Sequence, residues 1–462
     1  MRKFFKLSLV KKVSCLSLIF FLFSVCKTIE LFFCQFSKKN HSIKENLFSK
    51  AYKPPLTELH HPHLKYYLWR NFSMMLARNL ILLYIIKVAK WFMLYMPVSL
   101  LFYMENGMEK YYLLLHAIYS GIIALLEVPS GYIADVWGRK PALVLGGLFG
   151  VLGFGAYSIS SGLAGFLVAE ILLGIGSSLL SGADSAILYD TLSQNNQEKR
   201  YLKEEGRITA VGNTAETLAG LFVSLIVFTY YRTYFQLQTI LAIIAFIGAL
   251  FLIEPKVHQL REKAGFKDIL SIVHTTFRKN KVLRNLIIFA SAVGLASLSM
   301  AWMAQFVFVQ AGLNERHFGI AWVVLNGMVM LGSLSAYRIN KLLKVKWSIL
   351  YMMLIFSVGF FVVGYHLTFA AFIPLALLFY FRGTAHPILK NYINEQTDSS
   401  QRATVLSLRS LIIRILFFTL GPIYGFINNK ISLEYALYMC AIAVAIPLLV
   451  FGTLILLGLK KN

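Results

Sequence analysis

Runs of about twenty apolar residues, parted by short polar stretches, recur from residue 79 almost to the end of the chain. A helix of that length crosses a hydrocarbon core of about 30 Å. A chain with many such runs must fold mostly in lipid, where every backbone polar group has to be paired within its own helix or within a closed barrel. The runs are too long for barrel strands. They predict twelve transmembrane helices, with spans 1 to 6 at 79–104, 111–134, 141–161, 163–189, 207–229 and 232–253. Spans 7 to 12 follow at 284–310, 316–339, 347–366, 368–390, 403–428 and 432–458. The expected fold is an all-α membrane protein of two six-helix bundles. A basic extension (1–78) precedes the first bundle (79–253), and a linker (254–283) leads to the second (284–462).

Composition agrees: 58% of residues are hydrophobic and 14% charged, against about 25% charged in soluble domains. The net charge of +24 would suggest nucleic acid in a soluble protein. Its placement argues otherwise. Apart from Lys87, Lys90, Arg382 and Arg414 inside spans, only Lys110, Arg232, Arg316 and Lys430 fall on one side; the rest of the 45 Lys and Arg fall on the other. That asymmetry is the positive-inside pattern, and it predicts a plasma-membrane protein (the inner membrane in a bacterium) with both termini cytoplasmic. The lipid bilayer is then the expected partner and nucleic acid is not.

Residues 13–26 form a shorter apolar run that would break the charge rule if it crossed the membrane, so an interfacial extension is expected there. Cys15, Cys26, Cys34 and Cys440 lack metal-ligand spacing. His60, His61 and His63 sit in a polar tail, where histidine clusters are usually solvated, so no metal site is assigned.

"GYIADVWGRK" (131–140) falls between spans 2 and 3. Its pattern, with Gly131, Asp135, Gly138, Arg139 and Lys140 at the fixed places, resembles the signature loop of the major facilitator superfamily. The resemblance implies a secondary transporter working by alternating access, and it makes this loop a conformational latch. Asp135 would engage the start of span 11, where unpaired N–H groups and the helix dipole favour negative charge. Gly131 would let helices approach and Gly138 would allow a tight turn. A weak internal repeat supports two halves: Tyr189 aligned with Tyr392 brings Arg207 near Arg409 and Gly220 near Gly421. The second-half counterpart of the loop, "GSLSAYRINKLLKVK" from Gly332, keeps the glycine and the bases but lacks the acid.

The resemblance also implies that spans 1, 4, 7 and 10 line a central cavity. At 100° per residue, Glu170, Gly174, Ser177, Ser181 and Asp184 of span 4 lie near one line. Lipid is a poor place for them, since a charge at the bilayer centre costs at least about 2.5 kcal/mol. Lys87, Lys90 and Trp91 of span 1 and Arg382 and His386 of span 10 are expected opposite these acids. Glu127, Glu216 and Arg414 are secondary candidates, and Trp302 and Gln305 of span 7 could add a wall. A buried carboxylate such as Glu170 or Asp184 could carry a proton and couple the passage of a small-molecule substrate to a gradient.

Two departures bear on that coupling. Glu170 stands where many proton-coupled members of the family carry an arginine, and span 5 lacks the proline of the Gly-Pro-x-x-Gly element of drug antiporters, while span 11 holds "GPIYG". Export of a drug-like molecule and uptake of a nutrient or metal chelate therefore both stand. The sequence has no Walker loop, nucleophile elbow or zinc-protease motif, so no cofactor is assigned. A membrane-embedded enzyme using Glu170, Asp184 and His386 is the remaining alternative from another class. The stretch 261–284 reads as an amphipathic helix beside anionic lipid.

Overall fold

The computed structural model describes residues 62–255, 280–365, 367–397 and 402–459. The chain divides into two compact units, Met1–Asn71 and Phe72–Asn462, and the account below concerns the second. The expectations for the short apolar run, for His60 and His61 and for an amphipathic linker helix fall outside the described residues, apart from the linker's last turn.

The described residues contain helices and no strands. The first half comprises α1 (Pro62–Trp91), α2 (Ser99–Glu105), α3 (Tyr112–Val136), α4 (Arg139–Ile159), α5 (Leu163–Leu180), α6 (Ala183–Gln194), α7 (Tyr201–Leu225) and α8 (Arg232–Leu250). The second comprises α9 (Lys281–Gln310), α10 (Phe318–Tyr365), α11 (Phe372–Glu395), α12 (Arg402–Lys430) and α13 (Leu433–Leu459). Ten helical segments are long and apolar enough to cross a membrane, eleven when the pair bent by 49° between Glu127 and Pro129 counts as one span. Pro129 accounts for that bend, because it removes a helical hydrogen bond and crowds the preceding turn. One of the segments, Glu315–Tyr365, is 51 residues long and holds both span 8 and span 9. Its backbone leaves helical geometry at Lys344 (φ 53°, ψ 178°). The crossings thus come to about twelve in two bundles.

Two spans expected to be continuous are broken. Span 1 ends its first helix at Trp91, makes a 3-10 turn at Met96–Val98 and resumes as α2. Span 4 stops at Leu180 and restarts at Ala183 after Gly182, whose φ of 78° suits a residue without a side chain. α9 begins where the Asn280 side chain accepts the Leu283 N–H at 3.0 Å. It is also the most enclosed span, with 89% of its apolar window buried.

The halves meet tightly toward the face that carries few bases. A Cβ added to Gly319 on α10 would run into the Gly220 carbonyl of α7, and one on Gly421 of α12 would lie 3.1 Å from Ala117 of α3. Only small residues permit helix backbones to come this close. Asn429 Nδ2 donates to the Lys110 carbonyl at 2.7 Å, and the Tyr231 hydroxyl donates to Glu315, so both hydrogen bonds join the halves on that side.

Candidate functional site

A cavity of about 260 Å³ opens within the first half, among spans 1 to 4 and 6, with Trp302 as its one wall residue from the second half; it is just below the size of about 300–1,000 Å³ usual for small-molecule sites. Most of its wall is apolar, with Met93, Phe154, Leu173 and Phe235 among the lining residues. Of the candidates read from the sequence, Lys90, Glu170, Ser177 and Trp302 line it. Lys87, Trp91, Ser181, Asp184, Arg382 and His386 lie elsewhere.

Glu170 is 2% exposed, and its Oε1 draws three partners. Tyr157 donates its hydroxyl at 2.6 Å and Tyr103 at 3.2 Å, while His116 Nδ1 stands 2.7 Å away. That last approach is close but not an aligned hydrogen bond, since neither ring nitrogen of His116 has a hydrogen-bond partner among the described residues. The His116 ring stacks on Trp302 of the second half at 3.8 Å between centroids. A buried carboxylate is tolerable in such a place because donors and a titratable base replace its water. Little in the sequence announces this cluster. His116, Tyr103 and Tyr157 are single amphipathic residues within apolar runs and show no helical stripe.

Above the cavity the break in span 1 exposes backbone groups that lipid could not satisfy, at several kcal/mol each. Two buried glutamines take them. Gln238 Oε1 accepts from Leu94 N at 3.0 Å within the first half. Gln305, from the second half, accepts from Leu100 N at 2.9 Å and donates to the Met96 carbonyl at 2.7 Å and to Ser99 Oγ at 2.9 Å.

Of the remaining charges, Lys87 and Asp184 face one another as expected, though away from the cavity. Because span 4 breaks at Gly182, Asp184 leaves the line of Glu170 and sits 3.8 Å from Lys87, whose ammonium lies 4.9 Å from the Trp91 ring centroid. Arg382 interacts electrostatically with Glu216 rather than with an acid of span 4. Arg409 Nη2 lies 3.5 Å from His386 Nδ1, and Arg414 acts on Glu127 and Tyr119. Ser177 is bonded to the Tyr119 hydroxyl at 2.9 Å, and Ser181 is an exposed residue at the helix break.

In the decapeptide, Asp135 pairs with Arg139 at 2.5 Å, one turn on, and Arg139 Nε is 3.8 Å from Asp190. The acid at a helix start is Glu254, not Asp135. Glu254 accepts from the backbone nitrogens of Arg139 at 2.7 Å and Lys140 at 2.5 Å, closing the N-terminus of α4 where the dipole favours a negative charge. Gly138 (φ 113°) makes the turn, and a Cβ there would lie 2.9 Å from the Glu254 carboxylate. Gly131 meets nothing within 4 Å, so its expected part in close helix packing is not seen in this arrangement. Asn79 reinforces the same region, exchanging two hydrogen bonds of 2.9 Å with the Ile253 backbone and donating to Thr191 at 3.0 Å.

The family model described as the Major Facilitator Superfamily matches residues 80–381. The chain is 24% identical over 340 residues to the uncharacterized MFS-type transporter YxaM of Bacillus subtilis, covering 71% of this chain and 83% of YxaM. It is 26% identical over 251 residues to the multidrug transporter MdfA of Yersinia pestis, covering 53% of this chain and 56% of MdfA. Among solved structures, the nucleoside transporter NupG superposes with a TM-score of 0.67 at 14% identity, over 82% of this chain and 98% of NupG. The D-xylose-proton symporter gives 0.62 at 13%, over 82% and 97%. At those identities the structural likeness speaks for the fold alone.

Proposed function

This chain belongs to the major facilitator superfamily of membrane transporters and is not an enzyme; on that premise we propose that it exports a small molecule in exchange for protons, with Glu170 as the proton carrier. The supporting observation is the setting of Glu170, an enclosed carboxylate beside His116 on the wall of an apolar cavity in the first half that Trp302 of the second half closes. A proton arriving there converts a charged pair into a single charge, which changes the energy of exposing the cavity to either side. The likeness to MdfA, named a multidrug transporter, favours export.

The halves 79–253 and 284–462 rock about the cavity, tethered by 254–283, in a plasma membrane with both termini in the cytoplasm. In that orientation the closed face is external and the cavity drains to the cytoplasm. Asp135, Arg139 and Lys140, with Gly131 and Gly138, are the latch: Asp135 rests on Arg139 here and turns to the start of α12 when the cytoplasmic side closes. Lys87 and Asp184 are a charge pair, and Arg382 acts on Glu216 at longer range; both change partners during the same movement. Glu127, Arg414 and His386 border its path.

The test uses the full chain in proteoliposomes. Dye accumulation driven by a proton gradient is expected to be lost in Glu170→Gln, while counterflow without a gradient persists. Gradient-driven transport at the original rate in Glu170→Gln would end the proposal.

A further inference from the structure

Two buried nitrogens in the cavity wall have no hydrogen-bond partner among the described residues. Trp302 is 7% exposed and His116 4% exposed; both line the cavity, and neither Trp302 Nε1 nor His116 Nε2 has a hydrogen-bond partner among the described residues. Trp302 can only donate, and His116 Nε2 donates whenever the ring is an imidazolium, the form that completes an ion pair with Glu170. The two rings stack at 3.8 Å between centroids, one from each half. Lys90, also in the wall, feels Asp184 electrostatically, yet the salt bridge of Asp184 goes to Lys87.

Glu170 is the one carboxylate of the lining, and its Oε1 already takes Tyr157, Tyr103 and His116. A buried donor left without a partner costs about 1–3 kcal/mol, so a ligand that brings an oxygen to these nitrogens recovers what the empty site forgoes.

We infer that the substrate is an amphiphile whose polar end is an oxygen acceptor, a carboxylate or a carbonyl, held by Trp302, His116 and Lys90. Its apolar body lies against Met93, Phe154 and Phe235. A lipophilic cation of the same shape brings no acceptor to these nitrogens and meets Lys90. This inference rests on the transport reading above and narrows it to a substrate class.

Three probes of one shape test it: 4-butylbenzoate, 4-butylbenzamide and 4-butylbenzylammonium. Their equilibrium binding is measured on the full chain in lipid nanodiscs with no gradient. Benzoate is expected to bind at least about tenfold more tightly than the ammonium compound. Trp302→Phe keeps the stacked ring and loses the donor, and it lowers both the benzoate and the benzamide affinity relative to ammonium by about tenfold. Lys90→Met lowers benzoate but not benzamide. Thermal unfolding of each variant shows that it is folded.

Ammonium binding as tight as benzoate, or a Trp302→Phe variant with unchanged preference, overturns the inference. Gradient-driven uptake of the same probes separates the two ideas. If ammonium binds best and its movement still needs Glu170, the substrate class is wrong and the transport reading stands. If benzoate binds best but ignores the gradient, the reverse holds.

Discussion

Gln305 of α9 holds the backbone N–H of Leu100 at 2.9 Å, across a separation of 205 residues in the chain. The break in the first half is therefore completed by a side chain of the second. Moving the halves apart on that face frees the Leu100 N–H and the Met96 carbonyl together.

Gln305→Leu is expected to orphan both groups, at about 1–3 kcal/mol each where water cannot enter. The midpoint of thermal unfolding should fall by several degrees. Gln305→Glu retains the acceptor toward Leu100 and should fall less. Equal stability in all three proteins would mean that the break is held by something else.

Gly319 and Gly220 set how closely α10 and α7 approach. Gly319→Ala puts a methyl group against the Gly220 carbonyl and should wedge that face open. Spin labels at Glu109→Cys and Lys430→Cys, beside the Asn429 to Lys110 hydrogen bond, should report a longer distance in this background. A ligand that prefers the closed arrangement should bind more weakly in proportion to the population lost.

Glu254 and Gly138 should be coupled. Removing the carboxylate in Glu254→Ala leaves two N–H groups of α4 without their acceptor and should cost about 0.5–2 kcal/mol. Gly138→Ala suffers both a strained φ and a Cβ against Glu254. In a double-mutant cycle by chemical denaturation, part of the Gly138→Ala penalty should vanish once Glu254 is alanine. Strict additivity would show that backbone strain alone sets the penalty.

Lys344 occupies, in the second half, the place that the Gly138 turn holds in the first. Its φ of 53° with ψ of 178° is a conformation that residues with a side chain rarely adopt, at about 1–3 kcal/mol. Lys344→Gly should therefore raise the unfolding midpoint, an effect that thermal scans in detergent would detect.

Run length made the spans legible, and spacing alone located the loop at Asp135, because lipid imposes a length and a charge rule that any reader of the chain can apply. The breaks were hidden. Nothing in "WFMLYMPV" announces a helix that stops at Trp91, since the groups that make stopping affordable, Gln238 and Gln305, come from residues far along the chain. Ser181 and Gly182 carry a local sign of the second break, and it is this break that takes Asp184 off the line of Glu170. His116 was invisible for another reason: one histidine in an apolar run acquires meaning only when a carboxylate and an indole from other helices are set beside it. Groups set beside unforeseen neighbours, as Arg409 beside His386, reflect the same dependence on tertiary placement.

Spans 8 and 9 meet at Lys344 with hardly a residue between them. A joint of that kind has no slack, so tilting one arm must swing the other, much as a crankshaft carries torque round a corner. The second half accordingly contains a lever of its own, and a tag inserted at that corner would stall it far sooner than one placed in the longer connection before α12.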